Sequence, residues 1–451
     1  DNWVNSQVAG RLVYAADAER YKERALSYIN VFDGSTKFFR GKRLDGNWES
    51  PFNPYAPGRA YTEATAWQYR FFVPHDVNGM KQLFGGNNEF VAALDNLFST
   101  ESKIDGDMAD ITGMIGQYVQ GNEPSHHMAY LYNYVGQPWK TQYWTRRILD
   151  ELYAPTPEGI SGNEDCGQMS AWYILSSLGF YQVCPGTDQF ILTSPIFDKA
   201  TMNLANGKIL IITANNPAKN TYIDKVMLNG VEIDNNYLTY AQLMEGGTLE
   251  YILTDKPNEQ RGIKENTLPY SLTKKNVVSI PFTTGDLDLF LDKIDVPLES
   301  PTEGVRIHYT LDGSEPTEQS VAYTEPIKIT NTTTIKAKAF KDGYTPSRTF
   351  VIKATKAELK KAVAASGSES GVKYRYYEGL FSKVDDVVNA KPIKAGVMPS
   401  PSISEASSED HFGYIFEGFI LVPDDGVYEF MTKSDDGSVL YIGSQMVVNN
   451  D

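Results

Sequence analysis

The stretch Gly162–Tyr173, GNEDCGQMSAWY, sets two adjacent carboxylates, Glu164 and Asp165, immediately before a segment that reads as a helix. Met169, Trp172, Tyr173 and then Leu175 to Leu178 give that helix an apolar face, and Gly179 can end it. The carboxylates therefore belong to the loop at the helix mouth, not to the packed face.

Upstream segments repeat this plan. Residues Trp139 to Tyr153 read as a helix ending before Pro155. In GQYVQGNEPSHHMAYLYNY, residues 116–134, Asn122 and Glu123 precede Pro124 at the favoured first helical position, and His126 and His127 follow inside the first turn. In YTEATAWQYRFFVPHD, residues 61–76, Glu63 is flanked by Tyr61, Trp67 and Tyr69. A helix is predicted over Asn88 to Ser99, and an amphipathic one from Arg11 to Phe32. Between them, residues 33–60 form a long irregular run rich in Gly, Pro, Asn and aromatics, of a length that is often functional. Helix, loop, helix recurs from Arg11 to Gly179 with polar clusters at similar ends. The pattern predicts a helical toroid, or part of one, with one active face.

The clusters suggest chemistry. A glutamate among aromatics can have its pKa raised by desolvation, as a general acid needs; equally, Glu63 can be a helix-start carboxylate at the positive end of the dipole. Asn122, Glu123 and neighbouring carbonyls are oxygen donors of the kind calcium takes. Adjacent histidines point about 100° apart on a helix and cannot act as an i, i+4 zinc pair, so zinc is disfavoured. The pair can also be a hydrogen-bonded helix start.

From Pro185 to Pro257 the period changes to two, in QFILTSPIF, KILIITA, YIDKVMLNGVEI and LEYILTD, with NG, NN and GG turns. Residues 258–275 read as a linker and 276–354 as a β-sandwich, in which TLDGSEPT is a turn without chemistry. Residues 355–371 form a spacer with a flexible Gly/Ser end, and 372–451 a final β segment of alternating aromatic and polar residues. The expected architecture is multidomain: an α-helical toroid portion over 1–184, a β-strand extension over 185–257, then two all-β modules.

The 451 residues carry a formal net charge of -16 and no Lys/Arg cluster, which argues against nucleic acid as a partner. Aromatics at 12% suit sugar stacking and ordinary cores alike. The two cysteines, Cys166 and Cys184, are separated by a predicted helix of about 18 Å, so free thiols are expected. No run of 18 or more apolar residues is present to span a membrane. The chain opens at Asp1 without a signal segment and closes within a strand pattern, and both ends are expected to be cut.

The ordered motifs YTEATAWQYRFFVPHD, GNEPSHHMAYLYNY and GNEDCGQMSAWYILSSLGFY, with the later SPIFDKATMNL and LNGVEI, resemble the catalytic half of glycoside hydrolase family 92 over about Asp1 to Pro257. The resemblance implies an (α/α)6 toroid and an exo-acting, inverting, calcium-dependent α-mannosidase. It implies Glu63 as general acid and Asp165 as general base. It further implies Asn122, Glu123 and Asn163 near the metal, and Trp67, Gln120, His126 and His127 in the sugar pocket. Glu164 is left structural.

Many members carry an acidic residue where Asn163 stands, and Gln120 and Gly121 replace a His-Glu pair associated with α-1,2 specificity. Because the family's N-terminal β-sandwich is missing, the chain is expected to be a fragment with little or no activity of its own. Residues 276–352 resemble the chitobiase/hexosaminidase C-terminal sandwich through YTLDGSEPT and IKAKAF. Residues 371–451 are similar to the first part of a protective-antigen-type β domain, in which Asp435, Asp436 and Gly437 match a turn read as structural. The implied partners are mannose-containing N-glycans or mannans outside the cell. The rival expectation is a glycan-binding or adhesion protein without turnover, against which stands the presence of both Glu63 and Asp165.

Overall fold

The computed structural model describes residues 1–43, 47–58, 60–274, 276–284, 289–363, 370–428 and 430–450. The Gly/Ser end of the predicted spacer, 364–369, lies outside these, as do 44–46 and 59 of the long loop. The chain divides into two compact units, Asp1–Asp288 with Asp295–Ala354, and Leu289–Ile294 with Thr355–Asp451.

The first unit opens with helices Asn2–Arg11 and Ala15–Ala25, followed by a 3₁₀ turn at Leu26–Val31. The single helix expected from Arg11 to Phe32 is thus corrected. Val13 takes a left-handed backbone (φ 66°), which a helix cannot carry, and the chain reverses there. Trp3 anchors the hairpin by stacking on Tyr270 at 5.4 Å.

The long loop has internal order. Buried Asp33 accepts hydrogen bonds from Ser35 N and Oγ and Thr36 Oγ1, and from Arg40 at 2.7 Å, an ion pair shielded from water.

Helix Asn87–Ser99 turns Phe90, Val91, Ala93, Leu94, Leu97 and Phe98 inward, each large side chain contributing roughly 1.5–3 kcal/mol on burial. Phe98 stacks on Trp144 at 4.2 Å, which joins this helix to Pro138–Glu151. Arg70 is buried among rings, its guanidinium 4.4 Å from the Phe38 centroid and 5.0 Å from that of Trp67, and its Nε donates to the Lys37 carbonyl at 3.0 Å. Helix Gln168–Ser177 buries Met169, Trp172, Ser176 and Ser177, and ends where Gly179 turns left-handed (φ 97°).

Strands then take over. The sheet order is Val231–Glu232, Tyr222–Leu228, Gly247–Thr254, Ile209–Ala214, Lys199–Asn203, with Gly247–Thr254 parallel to Ile209–Ala214 and the other pairs antiparallel. Alternate residues such as Leu210, Ile212, Ile223, Val226, Leu249 and Tyr251 form its core.

Ser271, Thr273, Val277 and Ser279 are bound to the helical part. Buried Asp76 accepts from Tyr28 Oη (2.9 Å), Gly79 N (3.2 Å), Ser271 Oγ (2.8 Å), Thr273 N (2.8 Å) and Thr273 Oγ1 (2.6 Å). Ser279 Oγ donates to the Gln82 carbonyl at 2.6 Å, and Val277 N donates to the Gln82 side chain. The β-sandwich follows, with antiparallel pairs among Arg306–Thr310, Val321–Ala322, Thr333–Phe340 and Phe350–Lys356. At its TLDGSEPT turn, Asp312 accepts from Ser314 N at 3.0 Å.

The second unit contains an antiparallel sheet ordered Lys394–Met398, Val372–Glu378, Phe412–Glu417, and a hairpin Val439–Ile442 with Gln445–Asn449. Tyr374, Tyr376 and Met398 form its small core.

Candidate active site

Three loops carry the polar clusters, each leading into a helical element. Thr65 caps the short helix Ala66–Tyr69, its Oγ1 accepting from Trp67 N at 3.2 Å while its own N–H donates to Gln68 Oε1 at 2.8 Å. Two residues before this cap, Glu63 is exposed and left-handed (φ 55°). Of the aromatics beside it in sequence, Tyr61 donates to the Phe39 carbonyl at 2.6 Å, Trp67 is 5% exposed beneath Arg70, and Tyr69 donates to the Thr62 carbonyl at 3.2 Å.

The second loop is not an α-helix start. Glu123–Ser125 is a 3₁₀ turn capped by Asn122, and Met128–Val135 is a second 3₁₀ segment. Asn122 is 4% exposed; its Nδ2 donates to the Glu63 carbonyl at 2.8 Å and its Oδ1 accepts from Glu123 N at 3.0 Å. One amide therefore joins the Glu63 loop to the Glu123 turn. Glu123 itself is exposed.

The third loop bears Asn163, Glu164, Asp165 and Cys166, all exposed, and both Asp165 (φ 49°) and Cys166 (φ 54°) are left-handed. Glu164 Oε1 accepts from Ser170 N at 3.1 Å, a structural cap on the following helix. This loop abuts the second. Gly162 (φ 72°) lies so close that a Cβ would come 2.8 Å from the Gly121 carbonyl oxygen, so only glycine permits the approach. Non-glycine residues at positive φ are uncommon and are held there by their surroundings. Glu63 and Asp165 share that property.

Four residues expected to meet sugar are instead interior. Gln120 is fully buried, accepting from Tyr118 Oη and donating to Tyr153 Oη at 2.7 Å. His126 and His127 are 2% and 4% exposed, with Nε2 2.8 Å from the carbonyls of Gln120 and Phe71 respectively. With Trp67, they form the floor under the loops. The residue types were recognisable, but sequence does not show which way a side chain points from an irregular turn. Gln168, which touches His126, was overlooked; its place at the first position of the helix after Asp165 was the available signal.

Burial lowers the pKa of both imidazoles from 6.5 to about 4. The folded value lies below the unfolded one, so between pH 6.5 and 4 the unfolded chain binds more protons and stability falls as pH falls. The expected slope is about 1.4 kcal/mol per pH unit for each ring. Urea unfolding at pH 7 and 5 checks this. A midpoint that does not move, or a slope that His127→Gln leaves unaltered, would mean the rings are hydrated.

Metal donors at the loops are oxygens. The nitrogens His126 Nε2, His126 Nδ1 and His127 Nε2 already meet protein partners, and among the described residues no three His, Cys, Asp or Glu side chains gather to hold a metal. Of the expected set, the Glu123 and Asn163 side chains are exposed, while Asn122 is 4% exposed and makes the two bonds above. Both cysteines are free thiols, as expected, and burial pushes that of Cys184 up to about 12. No helix among the described residues is long and apolar enough to cross a membrane.

The arrangement has relatives. Residues 289–351 match the chitobiase/beta-hexosaminidase C-terminal domain, and 368–451 the PA14 domain. A family GH92 alpha-mannosidase of Bacteroides thetaiotaomicron is 40% identical with a TM-score of 0.56, over 60% of this chain and 35% of that one. A GH92 inverting mannosidase of the same organism is 37% identical with a TM-score of 0.55, over 60% and 38%. An uncharacterized secreted glycosidase of Arthroderma benhamiae is 26% identical over 281 residues, 56% of this chain and 34% of that protein. The chain thus spans about a third of the length of these relatives. The glycosyl hydrolase family 92 catalytic domain matches residues 1–255, the stretch that holds all three loops, and the chain belongs to that family.

Proposed function

We propose that this chain forms part of an exported, exo-acting α-mannosidase that releases terminal mannose from N-glycans or mannans with inversion at the anomeric carbon. The observation that supports the reading is the junction of the loops: Asn122 joins the Glu63 carbonyl to the Glu123 turn, and Gly162 lies against Gly121, so the three loops that bear these carboxylates adjoin.

In this reading Glu63 gives its proton to the glycosidic oxygen as the bond breaks. Asp165 takes a proton from the water that attacks the opposite face. Inversion by single displacement needs two carboxyl groups roughly 6.5–9.5 Å apart, which separate loops can provide and adjacent Glu164 and Asp165 cannot. Calcium held by Glu123 and Asn163 would bind sugar hydroxyls and favour the distorted ring. The solved GH92 α-mannosidase bound to mannoimidazole and the secreted relative support the substrate class and the export.

Proton NMR of the products that the full-length protein containing this chain releases from α-linked mannose disaccharides, with and without a calcium chelator, tests the proposal. β-Mannose should appear first, and chelation should suppress turnover until calcium returns. First appearance of α-mannose, or turnover indifferent to chelation, would overturn the mechanism.

A further inference from the structure

The loop that carries Asp165 is tied to the Glu123 turn through one residue that the catalytic reading does not use. Gln168 donates its backbone N–H to the Asp165 carbonyl at 3.1 Å. Its side-chain Nε2 lies 3.1 Å from His126 Nδ1 and 3.0 Å from Tyr181 Oη. His126 in turn donates its backbone N–H to the Glu123 carbonyl at 3.1 Å.

The chemistry of the ring makes this bridge directional. His126 Nε2 is 2.8 Å from the Gln120 carbonyl, which can only accept, so Nε2 carries the hydrogen. Nδ1 of the neutral ring then presents a lone pair, and the Gln168 amide supplies the matching donor. The ring is enclosed: it is 2% exposed, its Nε2 is held at the Gln120 carbonyl, and Trp172 Nε1 donates to the His126 backbone carbonyl at 2.9 Å. Gln168 is therefore fixed from the His126 side and holds Asp165 from the other.

We propose that Gln168 is a positioning residue for hydrolysis: its bond to the His126 ring sets the Asp165 loop against the Glu123 turn, and with it the place of the attacking water. The inference rests on Asp165 as the base. A side chain that only stabilised the helix start would affect folding; one that positions the base affects the chemical step, where a misplacement near 1 Å costs roughly 100-fold.

Gln168→Met keeps length and removes the donor. Its kcat should fall roughly 10- to 100-fold with KM within about twofold and Tm retained. In the wild-type protein, 15N NMR should show His126 protonated at Nε2 and accepting at Nδ1, and in Gln168→Met the Nδ1 signal should move toward a free imine nitrogen. Wild-type kcat in Gln168→Met, a loss confined to KM, or a wild-type ring protonated at Nδ1 would overturn the inference; the last reading needs no variant to fold. Asp165→Asn separates the two claims. If that variant keeps normal turnover, the base assignment fails, whereas an inactive Asp165→Asn beside a fully active Gln168→Met refutes positioning alone.

Discussion

Asp165→Asn is expected to lower mannose release at least about 100-fold while leaving Tm unchanged or slightly raised. An amide cannot take a proton from water, and a positioned general base typically contributes 10²–10⁴-fold. The fold should not notice the exchange. Asp165 is exposed and left-handed (φ 49°), a conformation asparagine adopts at least as readily as aspartate. Calorimetry beside initial rates makes the comparison, with Tm guarding against loss by unfolding. Near-normal rates would transfer the base to another group, and Glu164 is a poor heir because it already caps Ser170.

Asp76→Asn should have the largest effect on stability, about 1.5–3 kcal/mol. Asp76 is completely buried and accepts five hydrogen bonds from Tyr28, Gly79, Ser271 and Thr273. With the amide nitrogen on the Oδ2 side, the Tyr28 and Thr273 hydroxyls must turn to accept, and the donors on the other side exchange a carboxylate for a neutral oxygen, where hydrogen bonds to a charged group are worth about 1.5–3 kcal/mol. Urea unfolding gives the size of the loss, and proteolysis should open the chain near 258–275 first. A cost below about 1 kcal/mol would mean that water replaces the carboxylate there.

Much of this was legible in the sequence, and the part that was not has a common cause. Periodicity located the helices at Asn87–Ser99, Pro138–Glu151 and Gln168–Ser177, because each buries an apolar stripe that recurs with the helical turn. The loops before helical elements were legible for the same reason. What periodicity cannot report is the direction of a side chain within a left-handed or 3₁₀ turn. Trp67, Gln120, His126 and His127 surround the carboxylates in sequence but are buried, the two histidines against backbone carbonyls, Gln120 against tyrosine hydroxyls and Trp67 beneath the Arg70 guanidinium. Asn122 was recognised as important for its oxygen, yet it acts on the neighbouring loops through both ends of its amide.

The left-handed backbone at Glu63 and Asp165 also bears on how such a protein can change over generations. Glycine at either position would relieve roughly 1–2 kcal/mol of steric cost without disturbing a packed neighbour. A lineage drifting under demand for heat resistance alone would shed both carboxylates early. On the roles proposed for Glu63 and Asp165, a relative with glycine at both would carry this architecture without the acid and the base of hydrolysis.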